Sequence, residues 1–173
     1  MLTNNHHYLP KILGFLTEIG IVVNEKTLPD DTFLPGLELG PSCIYVDYKK
    51  LKYPGDLLHE AGHLAVTTPE QRLLAGTGLT AENQPWPTDG EEIVTLLWSY
   101  AAAKHIELPL EVLFHPEGYK GDSEWLIETF ESGTYIGLPL LEWMGLTEPT
   151  GASNAYPKMK HWLRQSGTEL TVN

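Results

Sequence analysis

Residues 56–66 read DLLHEAGHLAV, and the spacing inside this stretch decides how the rest of the chain is read. His59 and His63 lie four residues apart, so on a helix their side chains leave one face a single turn apart, as two ligands of one tetrahedral metal ion must. Glu60 follows His59, about 100° further round, where a carboxylate reaches a water on the metal without taking a ligand position. Ala61 and Gly62 between them leave room for another element to come close. Gly62 costs a helix interior about 1 kcal/mol relative to alanine, so its presence points to packing or function.

Working outward, Asp56 is placed to cap a helix from Leu57 to about Val66, ended by Thr67, Thr68 and Pro69. Upstream, CIYVDY (43–48) is β-branched and aromatic and reads as a strand. LPKILGFLTEIG (9–20) sets Leu9, Ile12, Leu13, Leu16 and Ile19 on one helical face and stops at Gly20. IGIVVN (19–24) follows as an extended piece, and the Pro-, Asp- and Gly-rich segment 28–42 reads as turns.

Downstream, 69–87 reads as loop with a short helix at PEQRLLA. A long helix then begins near Thr88 or Asp89 and runs to Pro109, apolar on nearly every face and therefore buried. The remainder alternates short apolar helices (SEWLIETFE, LPLLEWMGL, YPKMKHWLRQ) with Gly-rich turns. The expected architecture is α+β: one domain over 1–173, a small sheet packed on the HExxH helix and a following glutamate-bearing helix, with a helical C-terminal part.

Composition narrows the chemistry. The net charge of −12, from 23 acids against 11 lysines and arginines, repels polyanions and argues against a nucleic-acid partner. A single cysteine, Cys43, rules out an internal disulfide and a zinc site built on several thiolates, so a transition metal must use His and carboxylates. With no long apolar run and no signal-like N-terminus, the expectation is a cytoplasmic chain that does not enter a membrane.

Two histidines need a third protein ligand, and no histidine lies between Leu64 and Leu73 to supply it. The head of the long helix offers Glu91 and Glu92. Thr88 as N-cap with Glu91 three residues on forms a capping box that leaves Glu92 free, with Thr95 and Ser99 continuing its stripe; Asp89 with Glu92 forms an alternative box, so both glutamates stay open and Glu92 is favoured.

HEAGH followed by a helix-borne glutamate resembles the gluzincin arrangement of thermolysin-type peptidases, and most of all the compact ImmA/IrrE-like zinc peptidases, over residues 40–105. The resemblance implies Zn²⁺ on His59, His63 and Glu92, Glu60 as general base, and a peptide or protein substrate. Such enzymes use a His or Tyr against the oxyanion, and LFHPEGYKG (113–121) offers His115 and Tyr119. The helix glutamate is not followed by the Asn and early Pro usual in that family, and no DNA-binding helix-turn-helix is attached.

Among the other polar candidates, Asp47 is placed to orient a ligand histidine or to end its strand, and Tyr100 reads more simply as a core residue. His105 fits the C-terminus of the long helix, and His161 a surface helix. The tryptophans fit core or interface positions, so the C-terminal helices offer a surface for a homo-oligomer. Two further readings compete: a non-catalytic zinc domain with the same ligands, and half of a di-iron carboxylate site, which lacks the second ExxH such bundles need.

Overall fold

The computed structural model describes residues 5–77 and 89–167. Helix α1 (Leu9–Ile19) begins after a 3₁₀ turn at Asn5–Tyr8 and ends at Gly20, whose φ of 88° lets its N–H turn back to the Leu16 and Thr17 carbonyls. Strands β1 (Val22–Glu25), β2 (Leu37–Gly40) and β3 (Cys43–Val46) form one sheet in the order β1-β3-β2, with β1 parallel and β2 antiparallel to β3. The architecture is α+β, as expected.

β2 was not expected: its four residues lie in the segment read as turns. Alternation there is only Leu37 in, Glu38 out, Leu39 in, bracketed by Gly36, Gly40 and Pro41. So short a strand is specified by its partner rather than by its own pattern. Leu37 pairs with Val46 and Leu39 with Ile44 across the ladder.

Two helices carry the core. α2 (Pro54–Ala65) buries Leu57, Leu58, Ala61, Leu64 and Ala65, and α4 (Asp89–His105) buries Val94, Leu97, Trp98, Ala101 and Ala102. Their contact is the most extensive between helices, and each fully buried leucine in it contributes about 2 kcal/mol of burial free energy. The short α3 (Pro69–Arg72) is closed by a reciprocal capping box between Thr68 and Gln71. α5 (Leu110–Leu113), α6 (Ser123–Glu131) and α7 (Leu138–Trp143) follow, the last two where the sequence placed helices.

The expected helix over 156–165 is absent. The backbone groups of that segment bond to other elements: the Arg164 N–H donates to Ala65 O, Lys160 N–H to Leu146 O, and the Trp162 carbonyl accepts from Trp98 Nε1 at 2.9 Å. Pro157 has no N–H to give. The Trp162 ring instead packs edge-on against Phe15 and Trp98, so this stretch straps the C-terminal end of α2 to α4. Trp98 is core, as read from sequence, whereas Trp125 and Trp143 are largely exposed. No helix among the described residues is long and apolar enough to cross a membrane.

Glycines set how closely α2 is approached. A Cβ on Gly55 would lie 2.0 Å from the Val112 carbonyl oxygen, and one on Gly62 would lie 2.9 Å from Thr95 Cγ2 and 3.0 Å from Ser99 Oγ. Gly55→Ala therefore meets backbone and should cost more than Gly62→Ala, which meets side chains. We expect Gly62→Ala to lose stability by about 1–2 kcal/mol despite the helix-propensity gain. Gly55→Ala should lose more than about 3 kcal/mol or fail to fold. Urea denaturation of the two variants beside the parent checks both the sign and the order.

Candidate metal centre

α2 starts at Pro54, which needs no intrahelical hydrogen-bond donor and has φ preset for a first turn; Tyr53 is the N-cap and makes no side-chain capping bond. Asp56 is thus not the expected cap. It sits inside the first turn, buried, with its carboxylate turned to another partner. One turn later, His59 and His63 leave the same face of the helix, their rings perpendicular with centroids 4.9 Å apart.

Both imidazoles converge on one carboxylate. His59 Nε2 lies 3.1 Å from Glu92 Oε1, and His63 Nε2 lies 3.1 Å from Glu92 Oε2. Glu92 stands near the start of α4 and is brought there by the close approach over Gly62. Burial lowers the pKa of Arg164, and the charge of the alternative, Glu91, works against that shift. The Thr88 half of the capping argument lies outside the described residues. Thr95, one turn beyond Glu92, places its hydroxyl 3.3 Å from His63 Nδ1, while Ser99 Oγ donates to the Thr95 carbonyl of its own helix.

His59, Glu60 and His63 each bring a ligand atom within 4.8 Å of the others, so this group can hold a metal ion. Two imidazole nitrogens with carboxylate oxygens form a donor set that suits zinc and similar divalent transition metals. The electrostatics are those of a tightly coupled group. Burial disfavours protonation of His59, but the hydrogen bond and charge of Glu92 outweigh it and raise the imidazole pKa above its ordinary value. Burial alone would raise Glu92; the two imidazoles reverse this and hold the carboxyl far below the usual carboxylate range. Burial pushes Glu60 up, against the pull of His63 and His59.

The segment after α5 brings His115 and Tyr119 against the same face. His115 is buried rather than exposed on a loop: Nε2 lies 2.8 Å from Asp56 Oδ1, and its ring stacks on Tyr53 at 3.9 Å and 10°. Tyr119 adopts a positive φ of 54° and sets its ring edge-on to His59, with centroids 5.8 Å apart. Burial, with the charges of Asp56, Glu92 and Glu60, holds the Tyr119 phenol well above its ordinary pKa, so it remains a proton donor. Asp56 and Tyr53 were missed as site residues. The signal was the three-residue spacing of Asp56 to His59, which puts both on one helical face.

Other candidates lie elsewhere. Asp47 accepts from the Leu28 N–H (3.1 Å) and the Lys49 N–H (3.1 Å), so it organises the turn after β3 rather than a ligand histidine. Tyr100 stacks on Phe130 and donates to Glu131 in the core. His105 is the last residue of α4 and packs against Phe15 and Trp162. His161 is exposed on the non-helical strap. No protein-family model, curated protein or solved structure matches this chain.

The pair's pH dependence follows from the two shifts. Glu92, depressed in the folded state, contributes stability that is present above its unfolded pKa and lost as pH falls through the folded value. His59, raised, contributes stability that is present below its unfolded pKa and lost as pH rises through the folded value. The metal-free protein should therefore draw most from the pair between about pH 4.3 and 6.5, the unfolded values of the two groups. Denaturation of chelator-treated protein across pH should show this window, and Glu92→Gln should flatten it.

Proposed function

We propose that this chain is a zinc-dependent metallopeptidase, in which His59, His63 and Glu92 hold the ion and Glu60 is the general base. The observation that carries the reading is the convergence of two helix-borne Nε2 atoms on the two oxygens of a single carboxylate from another helix. His59, His63 and Glu92 would hold a zinc ion by three protein donors, the number found in catalytic rather than closed sites. The HEAGH spacing and its resemblance to gluzincins support peptide hydrolysis as the reaction class.

Zinc, when bound, supplies a Lewis acid that lowers the pKa of a water and polarises the scissile carbonyl. Glu60, made more basic by burial, takes the proton of that attacking water on its carboxylate and returns it to the leaving nitrogen as the C–N bond breaks. Tyr119 and His115 flank the site on the side where we place the developing oxyanion, with Tyr119 nearer to His59. Glu92 is part-exposed, so solvent reaches the centre on the α4 side.

Elemental analysis of protein purified without added metal should find near-stoichiometric zinc, lost in both His59→Ala and Glu92→Ala. Glu60→Gln should keep the zinc and lower peptide turnover by about 10²–10⁴-fold. Full activity in Glu60→Gln would sink the mechanism. Zinc retained with no hydrolysis of any peptide, together with a large loss of thermal stability on chelation, would assign the same ligands to a structural role instead.

A further inference from the structure

Three buried polar atoms on adjoining rings beside the centre have no hydrogen-bond partner among the described residues, His59 Nδ1, Tyr119 Oη and His115 Nδ1, and the hydroxyl of Tyr53, stacked on His115, is a fourth. The rings that carry the first three are consecutive neighbours, His59 edge-on to Tyr119 (5.8 Å) and Tyr119 edge-on to His115 (6.2 Å). Orphaned buried polar atoms are costly singly, and three along one line of contacts call for a common explanation.

Their hydrogen-bonding capacities are complementary. His115 Nε2 lies 2.8 Å from Asp56 Oδ1; with the ring proton on that nitrogen, donated to the carboxylate oxygen, Nδ1 is left as the acceptor. His59 has Nε2 committed to the Glu92 and metal side, so its Nδ1 carries a proton and is a bare donor. Tyr119 between them, kept protonated, can accept from one and donate to the other.

We propose that Asp56, His115 and Tyr119 form an outer hydrogen-bond chain that orients His59 as a metal ligand: His59 Nδ1–H to Tyr119 Oη, Tyr119 O–H to His115 Nδ1, and His115 Nε2–H to Asp56 Oδ1, closed directly or over a bridging water. This rests on the metal reading above and gives each histidine its own support. His63 is held by Thr95 and His59 by a chain ending in a carboxylate, the arrangement that fixes the tautomer of a ligating imidazole and raises its basicity. Several fixed features serve it. Tyr53 stacks on His115, and Gly118 leaves no Cβ where one would come within 2.9 Å of the His115 ring. Tyr119 itself is held at positive φ, which a non-glycine residue rarely adopts. Asp56, His115 and Tyr119 are thus positioning residues in the resting site.

The test is zinc affinity of the full chain, measured by competition with a chromophoric chelator, for Tyr119→Phe, Asp56→Asn and the double variant beside the parent. Tyr119→Phe keeps the ring and its packing, so the variant should still fold, with a lowered melting temperature for the metal-free protein because His59 Nδ1 and His115 Nδ1 lose their shared partner. Each single variant should weaken zinc binding about 10- to 100-fold, and the double variant no more than the worse single one, because the chain acts as a unit. Nitrogen-detected imidazole spectra give a second readout: the His115 proton should sit on Nε2 in metal-free parent protein. Affinities of both single variants within about threefold of a tightly binding parent would overturn the chain and leave the metal site standing. A parent that binds no zinc would overturn the metal reading, and the chain with it.

Discussion

The close approach of α4 to α2 over Gly62 is the constraint on which the centre depends. With no side chain at that position, Thr95, Trp98 and Ser99 come within van der Waals reach of the α2 backbone, and Glu92 is carried onto the two imidazoles. A methyl group at Gly62 would separate the helices by a few tenths of an ångström at the point where three donors must meet. The apolar contacts of Leu57, Leu58, Ala61, Val94, Leu97 and Trp98 supply the free energy that holds the helices there. The polar site is placed by packing it does not itself provide.

Burial of several ionisable groups beside one another is expensive unless each is paired, and the site is organised around that demand. Glu92 is shared by two imidazoles, His63 adds Thr95, and Asp56 takes His115. The same low-polarity surroundings that make such pairing necessary raise the basicity of Glu60 and keep Tyr119 protonated. One set of physical conditions therefore sets both the pairing of these groups and the protons they hold.

The ends of α2 are secured by chain segments distant in sequence. At the C-terminus its carbonyls are satisfied by Arg72 Nε on Leu64 O, Thr67 Oγ1 on Leu64 O and the Arg164 N–H on Ala65 O, which ties the last described segment to the helix that carries both histidines. At the N-terminus Gly55 lies against the α5 backbone, and Asp56 holds His115, just past the end of α5. Neighbouring elements thus fix the direction of the helix as well as its depth.

The HEAGH helix, the burial of α4, the Gly20 stop of α1 and the helices at 123–131 and 138–143 were legible because each is local: periodicity, capping and glycine preference act over a few residues. The same locality placed His59, Glu60 and His63 on one helix and narrowed the third carboxylate to Glu91 or Glu92. What sequence did not decide depends on contacts between distant segments. β2 exists because β3 pairs with it, and 156–165 is a strap because its N–H and C=O groups find partners on α2, α4 and the turn after α7. Asp56 faces His115 instead of capping, because chain across a sequence separation of 59 folds back to bring that histidine there. The residue types and their periodicity determined which side chains can do chemistry on one helix; the tertiary structure decided which of them meet, because a long-range contact is set by the packing of whole elements and leaves no local pattern to read.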